Sequence, residues 1–445
     1  MSSTILRSIA CGAMLLGTAS AASAQEAIPG AAVQAVSLPS AGAVTAFYAK
    51  WSTPMWFRGS IAKPAAGQLV SILKRAQFDG LASGPQLASQ VEAAIARASS
   101  GSPADVKAAE QTLSEAWVLY VQNLKRPTPH MIYAYPVLMP QNSRADQILL
   151  TAAAAPSLEA HLNAVSNVNP IYAQIRDAAW QQAQLTGAGP DPRLLTNLER
   201  ARVFPAGGRF IVVDSATQRL TMYENGQPYD SMKVIVGTNE LPTPMIASIM
   251  HYVTFNPYWN APDHLVRKAI APKTIAGGMK YFNSKGYEVM VDWSEGSAAI
   301  DPTTIDWKAV AAGKVRLRIR QKPGKENFMG ILKFPFPNPE DIFLHDTPAK
   351  ELFNKASRNL SNGCVRLEDA PRFGRWLLGR EPVPPGTEPE IRVQMPRGVP
   401  IFLTYLTAQP KDGKVTYLAD IYGWDKAAAG QLVASGNAQP VASSK

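Results

Sequence analysis

The sequence predicts an α+β protein, with an N-terminal α-helical domain followed by a β-rich domain that carries a long insertion. Apolar residues recur at three- and four-residue spacing in the first half, as in Leu69, Ile72 and Leu73. From Arg209 onward, apolar runs and alternation typical of strands replace that period. A chain of 445 residues, 46% hydrophobic and 18% charged, is long and apolar enough for two folded domains.

The helical period begins at Val44 and indicates an α-helical scaffold domain over residues 44–206. Ser102 followed by Pro103 predicts a helix start, because a serine side chain caps the first turn and proline fits there. His130 and His161 are isolated, so both are interpreted as structural or surface residues. Further helices are predicted at 145–154, 157–165, 170–185 and 194–202, with a linker at 187–192.

The β-rich domain is predicted to span 207–425, with a flexible tail at 426–445. Asn225-Gly226 lies between two alternating runs and is a strong hairpin signal. Residues 256–334 are long and irregular with embedded aromatic side chains, which fits either a lid over a substrate or an extra packing layer. Strands are predicted at 210–214, 219–223, 231–237, 249–255, 315–319, 342–344, 401–407 and 416–419, the last two joined by Asp412-Gly413, and helices at 262–270 and 370–378.

The N-terminus is typical of an export signal. Arg7 lies in a short basic region, Ile9–Leu16 form a brief apolar run, and Ala22-Ser23-Ala24 is a small-residue cleavage site. The apolar run is too short to span a bilayer, and no later segment reaches spanning length. The sequence therefore predicts a signal peptide at 1–24, a flexible leader at 25–43, and a periplasmic protein without a transmembrane segment.

Signal cleavage also changes the cysteine count and the charge. It removes Cys11 and leaves Cys364 as the only cysteine, which is either a reactive thiol or a buried, inert one. Loss of Arg7 lowers the formal net charge from +10 to +9, with 43 basic and 34 acidic residues remaining. A basic surface favours acidic partners such as cell-wall polymers or anionic membranes, or reflects a generally basic exported protein. No dense basic run or nucleic-acid motif is present, so nucleic acid is not expected as a partner.

A histidine and this cysteine lie in one short stretch. His345 follows an apolar strand-like run, and Cys364 follows it by nineteen positions, directly after Gly363. A thiol near its ordinary pKa is only a few per cent thiolate at neutral pH, so a neighbouring imidazole is needed to activate it. Gly363 permits a sharp turn whose amides would form an oxyanion hole, and Asp346 would orient the imidazole through its carboxylate or its carbonyl. The stretch therefore predicts acyl transfer by a cysteine–histidine pair.

The same stretch resembles the active-site signature of L,D-transpeptidases of the YkuD type. The resemblance rests on His345-Asp346-Thr347-Pro348 and on Ser361-Asn362-Gly363-Cys364-Val365-Arg366. The chain is also similar to the large YcbB-type subgroup in several other motifs. These are Val236-Gly237, Thr243-Pro244, Asn256-Pro257-Tyr258-Trp259-Asn260, Ile305-Asp306-Trp307, Arg320-Gln321-Lys322-Pro323-Gly324, Asp420-Ile421-Tyr422-Gly423, and in the helical half Phe47–Phe57 and Asn197-Leu198-Glu199-Arg200.

The resemblance implies a fold, a reaction and roles for the site residues. The catalytic domain would be β-sandwich-like, Cys364 the nucleophile, and His345 the general base and then acid. Asp346 would orient His345, the amides of Gly363 and Cys364 would hold the oxyanion, and Arg366 would support the site or a donor carboxylate. The partners would be peptidoglycan stem peptides as donor and acceptor, with no cofactor and no metal. Carbapenems would acylate Cys364.

The chain departs from that family pattern in two places. Asn362, next to Ser361, stands where a histidine is usual. Hydrogen bonding would therefore differ, either around the oxyanion hole or on the acceptor side. Larger members carry a peptidoglycan-binding module between the two domains, and 187–194 is too short to hold one. Glycan anchoring would then come from the scaffold domain, the basic surface or the insertion.

Competing functions remain open at this point. A cell-wall cysteine endopeptidase or amidase would resolve the same thioester with water, although papain-like and NlpC/P60-like enzymes place their cysteine before their histidine. A non-catalytic wall-binding protein is disfavoured by the intact pair of His345 and Cys364. A metallopeptidase is disfavoured because the five histidines show no metal-ligand spacing. The cross-link type also stays open between diaminopimelate–diaminopimelate (3-3), L-Ala–diaminopimelate (1-3) and lipoprotein attachment.

Overall fold

The computed structural model of the protein describes residues 41–294 and 296–428, and all of them belong to one compact unit. The predicted signal peptide, leader residues 25–40 and tail residues 429–445 lie outside the described residues. The order of elements is a helical region followed by a β-rich region, as the sequence predicts. No helix in the described ranges has the length and apolar character needed to cross a bilayer.

The N-terminal region is helical. Ser102 caps the longest of these helices, its hydroxyl accepting from the Asp105 amide at 3.4 Å, which confirms that predicted start. The first helix begins inside the stretch predicted as a leader, because Val44 and Phe47 are buried in the helical core. The helices span Ala41–Lys50, Pro64–Arg75, Gly84–Ala98, Pro103–Leu124, Ala145–Ala153, Leu158–Asn167, Pro170–Thr186 and Pro192–Ala201.

A buried charged cluster lies at the centre of this helical core. The Asp79 carboxylate accepts hydrogen bonds from the hydroxyls of Tyr120 at 2.9 Å and Tyr172 at 2.8 Å. The Arg176 guanidinium lies 3.6 Å from the same carboxylate, and both charged side chains are fully buried. Buried charges of this kind require their partners, so the cluster ties two helices, Pro103–Leu124 and Pro170–Thr186, to the turn at Asp79.

The β-rich region is built on a sheet that closes on itself. Its strands are Phe210–Asp214, Arg219–Glu224, Gln227–Gly237, Ile246–Phe255, Leu332–Pro335, Phe343–His345, Val365–Leu367 and Ile391–Thr404. Leu332–Pro335 pairs with Phe343–His345 on one side and with Ile246–Phe255 on the other, which joins the two ends of the sheet. The strands that carry the candidate site therefore lie within a continuous ring of hydrogen bonds. Ile132–Tyr133 and Asn359–Ser361 pair onto this ring, and the predicted helix at 370–378 is confirmed as Ala370–Leu378.

The insertion folds around its own core and its own small sheet. The core includes Val266, Phe282, Tyr287 and Ile319. The strands are Trp259–Asn260, Tyr287–Met290, Ala299–Ile300 and Arg318–Gln321, and the helical segments are Asp263–Leu265, a π-helical turn at Val266–Ile270, Ala271–Ser284 and Trp307–Ala311.

Two predictions for the insertion were wrong in extent. The strand predicted at 315–319 begins at Arg318, because Val315 is exposed whereas Ile319 and Gln321 are buried. Helical structure does not end at Ile270 as predicted, because the π-helical turn Val266–Ile270 is followed directly by Ala271–Ser284, with Pro272 in the first turn of that segment. Gly278, at φ +62°, kinks that helix. The glycine also interrupts the apolar pattern, so the sequence did not predict the helix beyond Ile270.

The hairpin predicted at the end of the domain has its turn at Asp412-Gly413 as predicted, but its strands were placed wrongly. Ile391–Thr404 belongs to the closed sheet, whereas Asp412-Gly413 joins a separate hairpin of Ala408–Lys411 and Lys414–Tyr417. The chain leaves the closed sheet near Thr407 because the Asn197 side chain accepts its amide hydrogen bond at 2.7 Å.

Candidate active site

The two predicted catalytic residues lie at the ends of neighbouring parallel strands. Leu344 pairs with Val365, and His345 pairs with Arg366. Cys364 directly precedes the second strand, two residues before Arg366 and therefore on the same face. Residues 346–363 connect the two strands, so His345 lies just before this connection and Cys364 just after it. Strand pairing thus puts both residues on one face of the sheet.

Both side chains line one large cleft of about 1310 Å³. The closed sheet forms its floor, through His345, Cys364 and Arg366 among others. The insertion forms a second wall with aromatic and basic side chains that include Trp293 and Arg318. The 256–334 insertion therefore borders the site, in addition to packing around a core of its own.

The His345 imidazole is buried and held in one orientation. Its Nδ1 lies 2.5 Å from the main-chain carbonyl oxygen of Asp346. A carbonyl only accepts, so Nδ1 carries the hydrogen and Nε2 of the neutral ring keeps its lone pair. Burial lowers the pKa of His345 to about 3, and the positive charges of Arg366, Lys333 and Lys350 act in the same direction. The ring is therefore neutral at physiological pH.

The Asp346 carboxylate does not face the imidazole. Its Oδ2 accepts from the Ile331 amide at 3.1 Å, and its Oδ1 lies 2.7 Å from the Lys350 ammonium. The same ammonium donates to the carbonyls of Leu367 and Glu368, at 3.2 and 2.9 Å, and so ties the end of the second strand to Asp346. Of the two orienting groups that the sequence left open, the carbonyl makes the contact with His345.

The Cys364 thiol is engaged with the main chain. Its Sγ lies 3.8 Å from the Asp341 carbonyl oxygen, to which it donates. Burial raises the pKa of the Cys364 thiol, which favours the uncharged form. Within the described residues, no hydrogen bond joins this Sγ to His345. The resting pair is thus a thiol and a neutral imidazole rather than an ion pair.

The turn before Cys364 is fixed by two hydroxyl groups. The Ser361 hydroxyl accepts from the Gly363 amide at 3.2 Å and donates to the Cys364 carbonyl at 2.6 Å. The Thr243 hydroxyl donates to the Gly363 carbonyl at 2.6 Å. Gly363 has a φ of +112°, a region that a side chain disfavours. Because a trans peptide points its N–H opposite to its C=O, the Cys364 amide points away from Thr243.

This geometry separates the two predicted oxyanion donors. The Gly363 amide already donates to Ser361, whereas the Cys364 amide is directed away from the buried Thr243 hydroxyl. Asn362 is exposed and lines the cleft, so it lies where a substrate would pass. Ser361 is buried beneath the turn and shapes it, although it also borders the cleft.

Two residues at the site were missed from the sequence. Lys333 pairs with His345 in antiparallel register and lines the cleft, and Thr243 supports the cysteine turn. The alternation of Leu332, Lys333 and Phe334 was a signal for the first, since it puts the lysine on the face opposite two buried residues. For Thr243, the sequence offers only the Thr243-Pro244 motif, which carries no sign of its contact with Gly363. Within the described ranges, no group of three or more His, Cys, Asp or Glu is arranged to hold a metal ion.

Comparisons with known proteins assign the two parts of the chain. Residues 208–393 match the L,D-transpeptidase catalytic domain family, YkuD, and residues 42–178 match the Scaffold domain family. A Haemophilus influenzae protein named "Putative L,D-transpeptidase" is 29% identical over 321 residues, which cover 70% of this chain and 64% of that protein. The matched region thus spans a little under two thirds of that relative's length.

Solved structures show weaker likenesses. The Ldtfm-avibactam carbamoyl enzyme is 11% identical, with a TM-score of 0.22, covering 45% of this chain and 50% of that one. An L,D-transpeptidase from Mycobacterium smegmatis is 12% identical, also with a TM-score of 0.22, covering 45% and 60%. The family matches and the curated relative agree with each other. Residues 208–393 therefore belong to the YkuD family of L,D-transpeptidase catalytic domains, and residues 42–178 to the Scaffold domain family.

Proposed function

We propose that this protein is an L,D-transpeptidase that cross-links peptidoglycan stem peptides through a thioester on Cys364. The observation that carries the proposal is the hydrogen bond from His345 Nδ1 to the Asp346 carbonyl. It leaves Nε2 as a proton acceptor in the same cleft as the thiol. The YkuD match supports this reading of the pair.

The acylation step begins from the neutral pair. Cys364 turns from the Asp341 carbonyl, its proton passes to His345 Nε2, and Sγ attacks the donor carbonyl carbon. The Cys364 amide donates to the oxyanion that forms. The imidazolium then gives its proton to the leaving amine as the carbon–nitrogen bond breaks, which leaves a thioester. Because both groups rest uncharged, proton transfer accompanies the attack rather than preceding it.

The second step transfers the acyl group to an acceptor amine. The amine attacks the thioester carbon, gives a proton to His345, and the sulfur leaves and regains a proton from the imidazolium. The bond energy of the donor is retained in the thioester, so no cofactor takes part. The donor is a stem peptide cleaved at the L-centre of diaminopimelate, with D-Ala as the leaving group. The reaction takes place in the periplasm after signal cleavage.

The cleft fits a substrate with both polar and apolar parts. Aromatic side chains such as Trp293 and Tyr258 and basic ones such as Arg318 and Lys273 line the insertion wall. Aromatic faces suit the apolar faces of sugars and peptides, and cations suit the carboxylates of stem peptides. The 3-3 linkage between diaminopimelates is the expected product, with the 1-3 linkage as the alternative outcome.

The direct test incubates the mature protein with disaccharide-tetrapeptides and analyses the products by mass spectrometry. We expect cross-linked dimers and released D-Ala from the wild type, and neither from Cys364→Ala. Fragment masses of the dimers identify the linkage. Released D-Ala without dimers would assign a hydrolase instead, and dimers from Cys364→Ala would overturn the mechanism. Intact mass after treatment with a carbapenem should show one adduct, lost in Cys364→Ala.

A further inference from the structure

The Cys364 sulfur lies against a turn of residues 336–342, which joins two strands of the closed sheet. Its Sγ is 3.8 Å from the main-chain carbonyl oxygen of Asp341 in this turn. The next residue, Ile342, is buried, and its Cδ1 lies 3.0 Å from the point where a side chain on Gly363 would begin. The 336–342 turn is therefore packed against both the nucleophile and the glycine before it.

The side chain of Asn338 holds the 336–342 turn in shape. Its Nδ2 donates to the carbonyls of Phe336 at 2.8 Å and Ile342 at 2.7 Å. Its Oδ1 accepts from the amides of Glu340 at 3.2 Å and Ile342 at 3.0 Å. The two contacts with Ile342 resemble the pair of hydrogen bonds that a neighbouring strand would make. One side chain thus fixes the main chain immediately before and after Asp341.

The main-chain amide of Phe343, which follows the turn, points toward Cys364. The amides of successive residues in a strand point alternately to its two neighbours. The Asp346 amide donates to the Leu332 carbonyl at 2.8 Å. Phe343 is three positions earlier, so its amide points the opposite way, toward the parallel strand Val365–Leu367. The register of that pairing puts Phe343 level with Cys364, the residue just before the parallel strand.

The charge on the sulfur depends on these main-chain groups. Burial raises the pKa of the Cys364 thiol, whereas a hydrogen bond from the Phe343 main chain lowers it. Among the charged side chains around the sulfur, Lys333 and Arg366 lower this pKa and the Asp341 carboxylate raises it. An amide lowers the pKa of a thiol because it donates to the thiolate, while a carbonyl accepts only from the thiol. The sulfur therefore has a main-chain partner in each of its two protonation states.

We propose that the Phe343 amide stabilises the negative charge that develops on the Cys364 sulfur during the reaction. Asn338 is then a positioning residue, which holds this amide and the Asp341 carbonyl against the sulfur. The inference rests on the proposed function, because that reaction puts charge on the sulfur in both of its steps. A donor fixed in place before the charge appears needs no reorganisation at that moment.

The amide acts when the sulfur attacks and again when it leaves. In acylation, the S–H bond breaks, its proton passes to His345 Nε2, and the electron pair of the sulfur forms the bond to the donor carbon. In transfer, the carbon–sulfur bond breaks and its electron pair returns to the sulfur, which then takes a proton from the imidazolium. The resting thiol is neutral, so the Phe343 amide is most useful at these two moments.

The test follows alkylation of Cys364 by iodoacetamide from pH 6 to pH 10 in the mature protein. Asn338→Ala removes the four hydrogen bonds that shape the turn and leaves the charged groups around the sulfur in place. We expect alkylation at pH 8 to slow about tenfold, because loss of a hydrogen bond to a charged group raises the pKa of the thiol by about one. Transfer from the thioester should slow by a similar factor, seen by intact mass as a longer-lived acyl-enzyme. A turn that is merely loosened would expose the sulfur and speed up alkylation.

The matched control is Asn327→Ala. Asn327 also makes four contacts with the main chain, but within the insertion, at Pro257, Gln321, Lys322 and Met329. This change should lower the free energy of unfolding without slowing alkylation. A second control, Asp341→Asn, removes the carboxylate near the sulfur, and asparagine tolerates the φ of +50° at this position. Asn338→Ala should slow alkylation about tenfold in that background as well.

The wild type also allows a direct measurement on the amide. In protein labelled with 15N-phenylalanine, the Phe343 amide resonance should shift as Cys364 titrates, and this shift should be absent from Cys364→Ala. This measurement carries the test if Asn338→Ala does not fold. A Phe343 resonance that is indifferent to the titration would overturn the proposal, and so would equal alkylation rates of wild type and folded Asn338→Ala or an equal slowing in Asn327→Ala. Neither readout needs a substrate, so failure of the proposed function is recognised separately, by the absence of D-Ala release from the tetrapeptide.

Discussion

The Thr243 hydroxyl donates to the Gly363 carbonyl at 2.6 Å and so sets the direction of the peptide that carries the Cys364 amide. The same hydroxyl accepts from the Gly237 amide at 2.9 Å. Gly237 is in turn held by the Tyr422 hydroxyl, which donates to its carbonyl at 2.8 Å. A chain of hydrogen bonds therefore links the C-terminal segment to the nucleophile turn.

Replacing Thr243 by valine should impair chemistry more than substrate binding. Valine has a similar shape but leaves the Gly237 amide and the Gly363 carbonyl without their partner, which costs about 1–3 kcal/mol. We expect the acylation rate constant to fall about 10- to 100-fold, because the Cys364 amide would no longer be held in line with the oxyanion. The KM should change little. Thr243→Ser keeps the hydroxyl and should recover most of the rate. A valine variant that is less stable yet acylates normally would assign Thr243 a purely structural role.

Asp346→Asn should retain most of the activity. The His345 ring is held by the main-chain carbonyl of residue 346, which this change leaves in place, and the carboxylate binds Ile331 and Lys350 instead. We expect kcat/KM to fall by about tenfold or less, far from the roughly 10⁴-fold loss when an aspartate of a serine-protease triad is changed to asparagine. A loss of that larger size would show that the carboxylate itself orients the imidazole during the reaction.

The reactivity of Cys364 should rise with pH without a plateau near neutrality. Burial disfavours both charged forms, so the pKa of the thiol goes up and that of His345 goes down to about 3. Thiolate is therefore scarce at pH 5–7, and alkylation by iodoacetamide should increase through the ordinary cysteine range and above it. His345→Gln should show nearly the same profile. A pH-independent thiolate reaction between pH 5 and 7, lost in His345→Gln, would contradict a neutral resting pair.

The helical core should depend strongly on Asp79. Its removal leaves the fully buried Arg176 without its buried partner and the hydroxyls of Tyr120 and Tyr172 without an acceptor. Asp79→Ala should lower the free energy of unfolding by about 3–5 kcal/mol, measured in urea. The control is Asp177→Ala, which removes the half-exposed second partner of the same arginine and should cost about 1 kcal/mol or less. Equal effects of the two changes would contradict the assigned role of the buried cluster.

The sequence predicted the order of elements well because local signals were strong. Ser102-Pro103, Asn225-Gly226 and the alternation after Arg209 each reflect an interaction between residues close in the chain. The elements of the insertion were predicted less well. Pro272 and Gly278 interrupt the sequence pattern of the helix Ala271–Ser284, whereas the packing of Phe282 in the core of the insertion stabilises that helix. The bounds of these elements depend on burial against residues distant in the chain, which a local sequence pattern does not show.

The difference between local and long-range signals also applies to the candidate site. His345 and Cys364 could be proposed from the sequence alone, because few residue types perform this chemistry and the chain holds few of them. Lys333 and Thr243 were not found, since each reaches the site through pairing with a distant strand or turn, 12 positions from His345 in one case and 120 from Gly363 in the other. An ordinary lysine and threonine carry no signal until that register is known.

The insertion leaves the closed sheet at Asn256 and returns to it at Leu332. At this point the Asn256 amide donates to the Ile331 carbonyl at 3.2 Å, and Phe255 pairs with Leu332. Both ends of the excursion are thus held side by side, as in a hairpin that a turn of about two residues would close. The segment between them is an exchangeable module. A change in its length would therefore leave the pairing of Phe255 with Leu332 in place, so we expect the outer wall of the cleft to be able to diverge while His345 and Cys364 keep their positions on the closed sheet.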